Sequence, residues 1–232
     1  MSDGLDPKLV TVLARRSPAA EAFRVLRTNL QFMGLDRPLA SLVITSAGPE
    51  EGKTLTAANL AVAFAQSGQR VVLVDADLRR PMVHRTFGLS HGLWRGLTSV
   101  LTSAADLGSV LAQTPVEGLR VLPSGPIPPN PAEMLGSQRM RHLMAALLEQ
   151  FDLVVYDTPP VLAVADAPIL AAVSDGTLLV VRANKVSHPL ARRAHEALSA
   201  VKARVLGVVL DGVPGRARSG YYDYHYYGAR KR

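Results

Sequence analysis

Residues 46–56 read SAGPEEGKTLT, a small residue followed by four spacers and then Gly52-Lys53-Thr54. That composition makes a phosphate cradle. Backbone N–H groups of such a loop and of the first helical turn converge on an anion, Lys53 bridges terminal phosphates, and the Thr54 hydroxyl is placed to ligate magnesium. Ala47 stands where the common pattern has glycine. The candidate nucleotide-binding residues are therefore Gly48, Glu51, Gly52, Lys53, Thr54 and Leu55. Carboxylates supply the second half of the chemistry. In VVLVDADLRRP, Asp75 and Asp77 lie two residues apart, a spacing that puts both on one face of an extended chain. In FDLVVYDTPP an apolar run delivers Asp157 to the place where a Walker B acid holds a magnesium-bound water. Any one of these acids could simply form a turn, but three beside a phosphate loop favour a metal-nucleotide use.

The tyrosines form a third group. Five of the six, Tyr221, Tyr222, Tyr224, Tyr226 and Tyr227, fall in the last twelve residues, bordered by Gly220 and Gly228 on a basic tail. A core would spread tyrosines through its strands. A stacking platform for single-stranded nucleic acid and a sticky edge strand are the bland alternatives to an acceptor cluster.

These groups need elements to position them. Short β-branched runs (LASLVIT, RVVLVDAD, GLRVLP, FDLVVYD, TLLVVRA, RVLGVVLDG) alternate with helical segments between about Leu39 and Val213. Most of the runs are apolar on both faces, which predicts a mostly parallel α/β sheet with helices on each side. Ligands of such sheets gather at the C-terminal strand edge, where the phosphate loop and all three acids fall. A strand RVLGVVLDG ending at that edge releases the tail beside the nucleotide; the nine residues from Gly212 to Tyr221 reach about 30 Å when extended. Before the sheet, Phe23, Leu26, Leu30 and Met33 predict one apolar stripe on a helix over Pro18 to Met33. The organisation expected is a helical segment over 1–37, a core over 38–213 and a tail over 214–232. The Pro-rich stretch 123–135 reads as a turn and a capped helix start.

Composition sets the outer limits. The 232 residues are 48% hydrophobic and 19% charged, which excludes wholesale disorder, coiled coil and collagen. The longest apolar stretch, Val161 to Val173, is cut by Asp166 and Pro168 and falls short of the roughly 18 to 20 residues that span a bilayer. No secretory signal is visible in MSDGLDPKLV. The lack of cysteine removes disulfides, zinc thiolates and thiol nucleophiles, and suits a cytoplasmic protein. The net charge of +7 favours anionic partners or simply solubility. The six histidines show no metal-ligand spacing.

Two nucleotide-binding classes compete. Partition-type ATPases carry an extra lysine five residues before the loop lysine, and that position here is Gly48. GTPases use Asn-Lys-x-Asp and Asp-x-x-Gly, whereas this chain offers Asn184-Lys185-Val186-Ser187 and Asp157-Thr158-Pro159-Pro160. ATP is the better fit. The ordered set EAFRVLRTNLQF, TSAGPEEGKT, VVLVDADLRRP, LPSGPIPPNPAEML, FDLVVYDTPPV and YYDYHYYG resembles the bacterial tyrosine kinases that regulate capsule and exopolysaccharide synthesis, in the form separate from its membrane adaptor.

The resemblance implies a P-loop fold, ATP and Mg2+ as cofactors, and phosphorylation of the chain's own tail tyrosines. It assigns Lys53 and magnesium to the γ-phosphoryl group, Thr54 and Asp157 to the metal, Asp77 to the tyrosine proton, and Asp75 to the metal's water shell. It places Asp211 near the adenine, where the family usually has Asn. Glu21, Arg24 and Arg27, which share a helix face, match the pattern that closes a ring of subunits. It also implies a transmembrane adaptor of the polysaccharide co-polymerase type, an opposing phosphotyrosine phosphatase, no nucleic acid, and a place at the inner face of the membrane. A partition or scaffold ATPase binding DNA or lipid is the competing reading. Arg79 and Arg80 could touch phosphates or cap a turn before Pro81.

Overall fold

A computed structural model describes residues 4–35, 39–89 and 95–213. In chain order the helices are α1 (Val10–Leu13), α2 (Pro18–Met33), α3 (Lys53–Ala65), α4 (Val83–Thr86), α5 (Leu97–Leu101), α6 (Leu107–Val110), α7 (Pro131–Gly136), α8 (Gln138–Gln150), α9 (Asp166–Ala171) and α10 (His188–Ala200). The strands are β1 (Ser41–Ser46), β2 (Val71–Asp75), β3 (Ala112–Gln113), β4 (Leu119–Leu122), β5 (Leu153–Asp157), β6 (Gly176–Arg182) and β7 (Val205–Asp211). They form one sheet in the order β3-β4-β2-β5-β1-β6-β7. Every pairing is parallel except that of β3 with β4. The antiparallel β3 is an addition to the six runs read from the sequence, and two residues are too few to show a period.

The fully apolar runs become strands buried on both faces, as in β1, β2 and β5. One cluster holds Val72, Val74, Tyr156, Met140 and Leu147 on the side of α8 and α9. The other holds Leu42, Ile44, Leu73, Phe64 and Leu60 on the side of α3. Strand β7 departs from this. It is the sheet edge, and Val208 and Leu210 are 58% and 57% exposed because no further element covers their face among the described residues.

Helix α2 has the predicted bounds. Ser17 caps it by accepting from the Ala20 N–H, and Pro18 occupies the first turn, where its missing N–H costs nothing. Leu30 is buried and Phe23 and Leu26 pack beside it against the α3 cluster. Met33 leaves the predicted stripe: at the helix end it is 42% exposed, and its carbonyl accepts from Arg204. The Pro-rich segment ends in a helix start with Pro131 at the first position of α7, but the expected cap is not made: Asn130 gives no side-chain bond to the backbone and instead donates to the Glu133 carboxylate. No helix among the described residues is long and apolar enough to cross a membrane.

Candidate active site

Strand β1 runs into the loop 47–52, and α3 begins at Lys53. The turn requires left-handed backbone at Gly52, whose φ is 92°, and also at Glu50, whose φ is 59°. Glycine is needed at the first of these for a second reason: a Cβ there would run into the Asp211 carboxylate. Alternating backbone of this kind turns successive N–H groups toward one point, the arrangement that binds phosphate at a helix start. Ser46 Oγ donates to the Gly48 carbonyl at 2.7 Å, and the Gly48 N–H donates to Glu51. Lys185 Nζ donates to the Pro49 carbonyl at 3.0 Å and ties the loop to the segment after β6. Glu51 is buried, so its carboxyl is pushed up by desolvation, against the pull of the Gly48 and Ala47 N–H groups and of Lys185.

Adjacent strands β2 and β5 bring two acids level, with Asp75 opposite Asp157 in the register. Both are fully buried. Asp75 Oδ2 accepts from the Val83 N–H at 3.0 Å. The expectation that Asp75 and Asp77 share one face of an extended strand needs correction. The strand stops at Asp75, and Asp77 closes a turn, accepting on Oδ1 from the N–H of Arg80 at 3.0 Å. Its Oδ2 accepts from Lys53 Nζ at 2.8 Å. Lys53 also lies 3.7 Å from Asp157 Oδ1. Burial alone would depress the Lys53 ammonium, but Asp157 and Asp77 outweigh it and hold that charge on. Burial raises Asp157, opposed by Lys53 and Thr54, and raises Asp75 well above the carboxylate range, reinforced by the Asp157 charge.

Whether these residues suit magnesium is decided by their unpaired oxygens. Asp75 Oδ1 and both oxygens of Asp157 are buried without a hydrogen-bond partner among the described residues. Buried carboxylate oxygens are normally satisfied, and three without a hydrogen bond, one of them within ion-pair reach of Lys53, fit a hydrated cation. Magnesium keeps waters and takes phosphate oxygens, so one or two protein ligands suffice. No cluster of three or more His, Cys, Asp or Glu side chains able to hold a metal by itself is present among the described residues.

The remaining predicted residues are placed as follows. Asp211, at the end of β7, accepts from Arg182 Nη1 at 2.7 Å and lies over Gly52. Leu55 is in the first turn of α3, and its carbonyl accepts from Asn59. On α2, Glu21 is exposed and pairs with Arg24, which also donates to the Arg15 carbonyl. Arg27 instead turns inward and donates to the Ala63 carbonyl of α3 at 3.1 Å. Tyr221, Tyr222, Tyr224, Tyr226 and Tyr227 lie outside the described residues.

Sequence reasoning passed over two features. Asn59 on α3 is buried and accepts from both the N–H and the hydroxyl of Thr11 while donating to the Lys8 carbonyl, which pins α1 to the phosphate-loop helix. Asp166 is fully buried and accepts two bonds from Arg79, at 3.0 Å each. A signal for the second was present, because an acid inside an otherwise apolar stretch must find a partner once buried.

The comparisons agree with this geometry. Residues 47–205 match the family described as AAA domain. The chain is 44% identical to Tyrosine-protein kinase YwqD of Bacillus subtilis (strain 168), over 96% of this chain and 92% of that protein. It is 36% identical to Tyrosine-protein kinase CpsD of Streptococcus agalactiae, over 95% and 94%. The solved kinase domain of the Escherichia coli tyrosine kinase ETK superposes with a TM-score of 0.86 at 36% identity, covering 96% of this chain and 86% of that one. A phosphate loop, a lysine held between carboxylates and this extent of similarity together show that the chain belongs to the bacterial tyrosine kinases and is a protein-tyrosine kinase on a P-loop fold.

Proposed function

We propose that the chain transfers the γ-phosphoryl group of ATP to its own tail tyrosines, in trans between subunits of a ring. In this reading a transmembrane adaptor stimulates the kinase at the membrane to regulate polysaccharide synthesis, and a phosphatase resets it. The observation that carries the proposal is the Lys53–Asp77 pair beside two buried acids, Asp75 and Asp157, three of whose oxygens have no hydrogen-bond partner among the described residues, at the sheet edge where β7 ends.

The loop N–H groups and Lys53 bind the phosphates, and Thr54 and Asp157 would hold a magnesium ion, with Asp75 supporting its water shell. Magnesium, when bound, neutralises charge on the phosphate oxygens. Asp77 accepts the tyrosine proton. In the described state its Oδ2 is taken by Lys53, so entry of a phosphate that attracts Lys53 frees the base at the moment the donor arrives. A carboxylate suffices because the attacking oxygen bonds late in a loose transition state. Arg182 supports the reading of Asp211 as an adenine-side group by holding one of its oxygens, which leaves the other to accept from an exocyclic amine.

Purified protein with ATP and magnesium should give weak phosphotyrosine that rises strongly when a cytoplasmic adaptor segment is added. Asp77→Asn should lose transfer while keeping most ATP binding. Full activity without any addition sinks the adaptor, and normal transfer in the Asp77→Asn protein sinks the base.

A further inference from the structure

We infer that Arg79 and Asp166 form a positioning pair that fixes the location of Asp77 relative to Asp157, an inference that rests on Asp77 being the proton acceptor. Asp157 is the last residue of β5 and Asp77 lies in the loop after the neighbouring β2, so their relation is set where the loops leave the two strands. Up to Ala76 these loops are held by the sheet, whose last link is the Ala76 N–H donating to the Asp157 carbonyl at 2.8 Å. Beyond it each chain turns away, the first through the 77–80 turn and the second through 158–165 to α9. The Arg79 fork rejoins them. Its Nε donates to Asp166 Oδ2 and its Nη2 to Asp166 Oδ1, both at 3.0 Å, across 87 residues of sequence.

A planar two-point contact fixes direction as well as distance, which a single ammonium does not. The anchor end is enclosed, with Asp166 fully buried at the start of α9, while the Arg79 side chain is 40% exposed. The fork also acts within two residues of the base. Asp77 Oδ1 accepts from the N–H of Arg80 at 3.0 Å, with that of Arg79 at 3.4 Å, so the backbone that carries Arg79 is the backbone that orients the carboxylate. A base displaced by about 1 Å loses rate by up to about 10²-fold without loss of substrate affinity.

The test is steady-state tail phosphorylation and ADP binding by the full chain carrying Arg79→Lys, Asp166→Asn, or both Arg79→Gln and Asp166→Asn, with Asp77→Asn alongside. Arg79→Lys keeps the charge and loses the fork. The expected result is a kcat lowered about 10- to 10²-fold with KM for ATP and ADP affinity within about threefold, and a double variant no worse than the worse single. Near-wild-type kcat in Arg79→Lys overturns the inference, as does parallel loss of ADP affinity, which would make Arg79 a phosphate-binding charge. A loss of kcat that only tracks the folded fraction in thermal melts overturns it too. If Asp77→Asn is inactive while Arg79→Lys and Asp166→Asn work normally, only the inference fails. Transfer by Asp77→Asn removes the proton-acceptor reading and the inference with it.

Discussion

Lys53 is asked to do two things by its surroundings. It neutralises Asp77 and Asp157, and it is the cation that a phosphate must attract. Lys53→Met should therefore abolish phosphotyrosine and also destabilise the free protein by about 1–3 kcal/mol, since buried carboxylates lose their cation. A thermal melt beside a phosphotyrosine blot checks both. Asp75 behaves in the opposite sense. Its carboxyl is raised well above 3.8 by burial and by Asp157, so the folded state binds a proton more tightly than the unfolded chain. A group raised on folding contributes its stability below the unfolded value and loses it as pH rises through the folded one. Asp75→Asn, which cannot ionise, should melt a few degrees higher than wild type at pH 8, with the gap closing as pH falls toward about 4. The same substitution should weaken magnesium-dependent nucleotide binding. Equal melting at every pH would show that Asp75 carries no ionisation cost.

At the scale of elements, the phosphate loop is only as well placed as α3, and α3 is braced from the N-terminal side. Asn59 takes two bonds from Thr11 and gives one to the Lys8 carbonyl, and Gln66 donates to the Thr11 carbonyl. Asn59→Ala strands the Thr11 N–H and hydroxyl in a buried site, an expected loss of about 1–3 kcal/mol. Because the bonds belong to the strap, amide exchange should accelerate first in residues 5–13 and only later in the sheet. Uniform acceleration across the domain would place the damage in the core. The β2 and β5 loops obey the same logic, with the Arg79 fork doing for the acids what Asn59 does for the helix.

For the whole molecule, the proposed ring depends on which charges can meet a neighbour. Arg27 is committed to the α3 carbonyl at Ala63, whereas Glu21 is exposed and Arg24, half-buried, is shared between Glu21 and the Arg15 carbonyl. The cleaner test of the ring is thus Glu21→Ala with Arg24→Ala, leaving Arg27 in place. The double variant should elute as a smaller species with reduced tail phosphorylation and a melt lowered less than that of the triple variant. Adding Arg27→Ala should lower stability as well, because the α2–α3 contact goes with it. Each tail phosphate adds about −1.5 to −2 charges to a segment that is basic apart from Asp223, so modification should also reduce assembly size. An assembly indifferent to both changes would falsify the ring and leave the kinase standing.

Much of this was legible in one dimension because the physics involved is local. Apolar runs point to strands covered on both faces, and Gly52-Lys53-Thr54 after such a run points to a helix opening at the ligand edge, so the fold class, the loop before α3 and the strand-end positions of Asp75 and Asp157 were legible from pattern. The bounds of α2 were equally local, set by Ser17, Pro18 and the apolar period. Other decisions needed three dimensions. That Val208 and Leu210 face outward depends on β7 being the edge, and strand order is not written in any single strand. Arg27 and Arg24 are three residues apart with the same chemistry, yet only the packing of α2 on α3 turned one inward. Asp77 left the strand because the turn to Arg80 offered its carboxylate backbone donors. Arg79 and Asp166 lie 87 residues apart, and it was the adjacency of β2 and β5 that brought a surface arginine to a buried acid.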